Sequence, residues 1–70
     1  MNNLSAEITM RDKKMPRFKA KVVDFFVDEL ETMVVLKALE EDSTNFPSED
    51  GEFTTMVKNI KEVNRADPEP

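Results

Sequence analysis

The sequence predicts a small α+β protein: an antiparallel sheet on one long hairpin, with a short N-terminal strand and a C-terminal helix. Three observations lead there. Residues 4–11 alternate apolar and polar side chains, the period of a half-buried strand. Residues 17–41 are rich in Val and Phe, and two apolar runs flank a polar Asp28-Glu29-Leu30-Glu31 segment. Residues 53–63 repeat apolar side chains at the spacing of an amphipathic helix.

The first strand is carried by Leu4, Ala6, Ile8 and Met10, set against Ser5, Glu7, Thr9 and Arg11. Asp12 to Met15 is a polar break, closed by Pro16. The hairpin is then expected over about 17–27 and 32–41. Its turn at 28–31 would pair Val23 with Leu36, Phe25 with Val34, Lys19 with Glu40 and Arg17 with Asp42. Each such cross-strand pair is worth roughly 0.2–1 kcal/mol. The turn contains no Gly, Asn or Pro, the residues that hairpins prefer. The same segment can be read as a helix over 18–34, with Val22, Val23, Phe26, Leu30, Met33 and Val34 on one face. That face fails beyond Val34, which favours the strands. A strand over 17–23 followed by a helix to 41 is a hybrid of the two. The all-α alternatives are a helical hairpin and a ribbon-helix-helix arrangement.

Asp42 to Gly51 reads as a loop, with Ser43, Thr44, Asn45, Pro47, Ser48 and the sole glycine. Phe53, Met56, Val57, Ile60 and Val63 then form the helical stripe, diluted by Thr54 and Thr55. A strand through Thr55 and Val57 is the competing reading. Asn64 to Pro70 holds two prolines and no apolar pattern. The chain is therefore a single small domain over 1–70, with 1–3 and 65–70 as flexible tails. The adjacent Phe25 and Phe26 are best read as core. If the hairpin forms, both its faces carry apolar groups. The C-terminal helix can cover one and a second subunit the other.

Composition excludes much chemistry. The 70 residues contain no His, Cys, Trp or Tyr, which removes the imidazole base, the thiolate nucleophile and the nitrogen and sulfur metal ligands. A single glycine cannot build a phosphate-cradling loop. An EF-hand centred on Gly51 would need its first ligand at Phe46, which has none to offer. Ser5, Ser43 and Ser48 have no histidine to activate them. Glu40 and Glu41 lie in no apolar setting that would tune them for acid–base work. No enzyme activity, cofactor or metal is expected. The longest apolar run is Met33 to Leu36, and Met1 to Met15 carries no signal-like apolar core. No membrane contact is expected, and the absent cysteines suit a cytoplasmic location. Asn3-Leu4-Ser5 matches a glycosylation acceptor by chance.

The net charge of −5 is unevenly distributed. Residues 1–21 hold six bases and two acids; residues 22–70 hold four bases and thirteen acids. A +4 arm thus precedes a −9 body. Nine of the acids form three clusters: Asp28, Glu29 and Glu31; Glu40, Glu41 and Asp42; Glu49, Asp50 and Glu52. Only Lys37 offsets charge between Asp24 and Glu52. Charge runs are usually solvated surface. The sharper reading is an anionic surface for a cationic partner, because DNA itself presents about one negative charge per 1.7 Å of axis.

In size, in charge and in the layout of those three clusters, the whole chain resembles the small acidic host-takeover proteins of lytic phages. That group includes DNA mimics that block HU-like nucleoid proteins. The resemblance implies an inhibitor that binds a basic host DNA-binding protein through the nine clustered acids and does not itself bind nucleic acid; a homodimer is expected separately, from the small size of a 70-residue chain with nothing to staple it. A second resemblance is carried by Met15-Pro16-Arg17-Phe18-Lys19-Ala20-Lys21-Val22, which looks like the ribbon of ribbon-helix-helix repressors and antitoxins. It implies that Arg17, Lys19 and Lys21 enter the major groove, with helices over 24–41 and 50–64.

Overall fold

A computed structural model describes residues 5–39 and 44–65. It is almost entirely β-structure: β1 (Ser5–Met10), β2 (Phe18–Asp28), β3 (Glu31–Ala38), β4 (Glu52–Met56), a 3-10 turn (Val57–Asn59) and β5 (Ile60–Arg65). All pairings are antiparallel, and the strand order is β4-β3-β2-β1-β5. Among the described residues no helix is long and apolar enough to cross a membrane.

The connection from β4 to β5 shapes the molecule. These strands lie on opposite edges of the sheet, about 19 Å apart if it were flat at ~4.8 Å per strand. Only the three residues of the 3-10 turn join them, and at ~2 Å of rise per residue they cannot span that gap. The sheet therefore rolls until its edges approach. Arg11 holds the turn in place: its backbone N–H donates to the Asn59 carbonyl at 2.9 Å and its Nε to the Lys58 carbonyl at 2.8 Å.

β1 and the hairpin follow the sequence reading. Ile8 and Met10 are buried, with Ala6 packed beside them. The turn falls at Glu29-Leu30, both with positive φ (51° and 71°), the two-residue turn whose twist matches that of the strands. Phe25 pairs with Val34 as expected. Val23 does not pair with Leu36; Val22 does, because a bulge between Val22 and Asp24 leaves Val23 as the extra residue. Lys19 lies opposite Glu7 of β1, and Arg17 reaches the same carboxylate at 4.0 Å. Glu40 and Asp42, their expected partners, lie outside the described residues.

The expected C-terminal helix is not present. Residues 53–63 form β4, the 3-10 turn and the start of β5. The misleading feature is the spacing. Ile60 pairs with Met10 and Glu62 with Thr9, so Lys61 is an extra residue in β5. The bulge points both Ile60 and Val63 inward, three residues apart, as on a helix. Thr54, Thr55, Val57 and Val63 are β-branched, and pleated pairing suits them better. The all-α and ribbon-helix-helix alternatives do not fit either, since residues 24–41 and 50–64 hold no α-helix among those described. Asn64 and Arg65, assigned to a tail, close β5 instead.

The core is small and lies at one end of the roll. Ile8, Met10, Phe18, Ala20, Val34, Leu36 and Phe46 are buried. Phe18, Phe46 and Phe53 meet edge to face, with centroids 5.4, 6.3 and 6.5 Å apart, the geometry favoured by aromatic quadrupoles.

Candidate functional site

The other end of the roll is open. Directly opposed residues share a face of a sheet, so Phe25 faces inward with its partner Val34, and Val22 with its partner Leu36. Val34 and Leu36 are buried, whereas Val22 and Phe25 are 41% and 60% exposed. With Ile8, Val57, Ile60 and Val63 they line an apolar groove of about 290 Å³. The expected C-terminal helix would have covered this face. In its absence no described element covers the outer half of the hairpin.

The opposite face of the hairpin is also apolar in part. Phe26 pairs with Met33 and Asp24 with Val35 on that side. Phe26 and Val23 are 40% and 48% exposed, so Phe25 and Phe26 are not the core pair the sequence suggested. Val27 is 70% exposed and Leu30, in the turn, 97%. The signal in the sequence was the apolar content of both faces. What could not be read was the missing cover.

The acidic clusters are divided. Asp28, Glu29 and Glu31 surround the hairpin turn, where Asp28 pairs with Glu31. Glu49, Asp50 and Glu52 lie at the far end of β3, because Glu52 pairs with Lys37 and the Ala38 N–H donates to the Gly51 carbonyl at 2.9 Å. The two groups are thus roughly 20 Å apart at strand rise and are not brought together. Glu40, Glu41 and Asp42 lie outside the described residues.

Glu31 accepts an ion pair from Lys58 at 3.1 Å. Asp50 accepts from the Ser48 hydroxyl at 2.5 Å and from the Glu52 N–H at 3.2 Å. These bonds hold its carboxyl below the usual range, with the Ser48 bond the larger cause. Asp24, Asp28, Glu29 and Glu49 make no ion pair with a described residue. Among the described residues no group of three or more carboxylates is arranged to hold a metal.

The basic residues are partly committed within the sheet. Arg17 reaches Glu7 at 4.0 Å, Lys19 lies opposite Glu7 in the ladder, Arg11 clamps the 3-10 turn, and Lys21 lies beside Lys37, which neighbours Glu52. Comparison with known protein families, with curated proteins and with solved structures finds no match for this chain.

Proposed function

We propose that this protein is a non-enzymatic acidic inhibitor that binds a basic DNA-binding host protein, of the HU-like kind, by presenting DNA-like charge. The observation that carries the reading is the placement of exposed carboxylates on turns at the two ends of β3. Asp28 and Glu29 project from a tight two-residue turn, and Glu49 and Asp50 from a turn at the other end of β3. A fixed frame matters because flexible charges lose more entropy on binding. Such recognition reads charge, so association is fast and weakens steeply with salt.

The test is displacement. A fluorescent DNA duplex bound to a purified HU-like protein should be released by this protein, and less so by the variant D28N/E29Q/E31Q. Direct binding of the duplex by this protein, or equal displacement by the neutralised variant, would overturn the proposal. Direct DNA binding through Arg17, Lys19 and Lys21 is the weaker reading, since Glu7 pairs with Arg17 at 4.0 Å and stands opposite Lys19 in the ladder.

A further inference from the structure

The outward face of β2, β3 and β4 is sorted by charge along the strands. Residues opposed across a ladder share a face, and Val34 and Leu36 are buried on the inner one. Glu31, Met33, Val35 and Lys37 of β3 therefore point outward, and their ladder partners complete four rows. Asp28 lies beside Glu31, Phe26 and Met56 beside Met33, Asp24 and Thr54 beside Val35, and Lys21 and Glu52 beside Lys37. Acids thus stand at the hairpin end, apolar side chains in the middle and two lysines at the far end.

Two of these rows carry a cost. Asp28 directly opposes Glu31, and Lys21 directly opposes Lys37. Like charges so placed destabilise a sheet. The two pairs are of opposite sign and about 20 Å apart at strand rise. Neither Asp28, Lys21 nor Lys37 makes an ion pair with a described residue. Between the two rows Phe26 is 40% exposed, and Met33, Val35 and Met56 are half-buried.

We propose that this face packs against the same face of a second copy, about a two-fold axis that lies between the sheets and runs across the strands. The axis sits level with Val34, halfway between Glu31 and Lys37. β3 then lies over β3 of the second copy in the opposite direction. Asp28 meets Lys21 of the second copy, Glu31 meets its Lys37, and both contacts occur twice. Met33 covers Val35 of the second copy at the centre. Facing sheets stand about 10 Å apart, a gap that a lysine and a carboxylate side chain span together. Aligned sheets cross at about 30°, which shifts the charged rows by roughly 5 Å, within reach of side chains of that length.

Charge fixes the orientation. An axis along the strands would set Lys37 on Lys37 and Glu31 on Glu31. The axis across them puts a carboxylate on each lysine of one pair and a lysine on each acid of the other. The same rotation carries each hairpin turn to the Gly51 end of the other copy. Glu29 of one copy and Glu49 and Asp50 of the other then share one end of the dimer, although they lie apart in a single chain. The footprint, three strands wide and about 20 Å long, belongs with small interfaces, so the association is weak and reversible.

The proposal is independent of the inhibitor reading, because its test uses the protein alone. Sedimentation equilibrium from about 10 μM to 1 mM should show monomer–dimer exchange, with the dimer weakened about tenfold between roughly 50 and 500 mM salt. Lys21→Glu and Asp28→Lys each relieve a like-charged opposition within the chain, so neither should harm the fold. Each should nevertheless weaken the dimer by roughly tenfold or more, since like charges then meet across the two-fold axis. The double variant K21E/D28K should return to within about threefold of the unaltered chain, because the reversed charges match again. Amide NMR of the unaltered chain is a second readout. Shifts on dilution should centre on Met33, Val35, Lys37 and Thr54 and spare Val57 and Val63. A monomer throughout the concentration range, no rescue in the double variant, or dilution shifts centred on Val57 and Val63 would overturn the proposal.

Discussion

Phe25 and Val34 face each other across the β2–β3 ladder, yet Val34 is 1% exposed and Phe25 60%. The boundary between core and open groove therefore runs between two paired residues. Val34 sits under the roll, and its partner sits on the lip.

That boundary separates two phenylalanines by their effect on stability. Phe18 is buried against Phe46 and Phe53, so Phe18→Ala should cost about 3–5 kcal/mol, near the whole stability of a domain this small. Phe25→Ser should cost about 1 kcal/mol or less, because much of the ring is already wet. Urea unfolding followed by far-UV circular dichroism checks both. A Phe25→Ser loss as large as that of Phe18→Ala would show that the groove is closed in solution.

The hairpin turn and the β4 entry give substitutions of opposite sign. Leu30 holds φ 71° with a side chain that buries almost nothing. Leu30→Gly should relieve left-handed strain and, after the glycine's entropy, stabilise by about 0.5 kcal/mol. Gly51 holds φ 84°, and a Cβ there would meet no atom within 4 Å. Gly51→Ala should therefore destabilise by roughly 0.5–1 kcal/mol from the backbone alone. The urea midpoint should rise for the first and fall for the second.

Asp50 should titrate lower than an ordinary aspartate, since the Ser48 hydroxyl and then the Glu52 N–H stabilise its charged form. A folded pKa below the unfolded one contributes stability above the unfolded pKa and loses it as pH falls through the folded value. Carboxyl carbon NMR should show the Asp50 titration moving upward in Ser48→Ala. An unchanged midpoint would mean that the hydroxyl does not hold the carboxylate in solution.

The Lys58–Glu31 pair ties the 3-10 turn to the hairpin, but its side chains are 61% and 40% exposed. Solvent screens such a pair, and a double-mutant cycle with Lys58→Ala and Glu31→Ala should give about 0.2–1 kcal/mol of coupling. The coupling should shrink in high salt. Charge-neutralised variants at the turn can therefore be compared for binding with little loss of fold.

Much of the sheet was legible in the residues. The alternation of Ala6, Ile8 and Met10 located β1, and the two Val- and Phe-rich runs located the hairpin and its turn. The misread register and the misread C-terminal helix trace to irregular backbone. A bulge at Val23 moves the hairpin register by one, and another at Lys61 gives a strand the spacing of a helix. Bulges leave no clear residue signature here, because neither position is a glycine. The acidic ends of β3 could be placed from the hairpin alone. The groove could not, since it exists only because no helix covers Phe25.

The pairing of Ala6 with Arg65 links positions near opposite ends of the described chain. Everything from β1 to β4 is a local meander and can assemble as the polypeptide emerges. The last ladder must wait for residues 60–65. Long-range closure of this kind is slow compared with hairpin formation. Until it is made, β1 is itself an uncovered edge with Ile8 at its centre, and the nascent protein has a sticky seam that the finished one does not. Ribosome-bound chains halted before Ile60 would be the form most prone to aggregate.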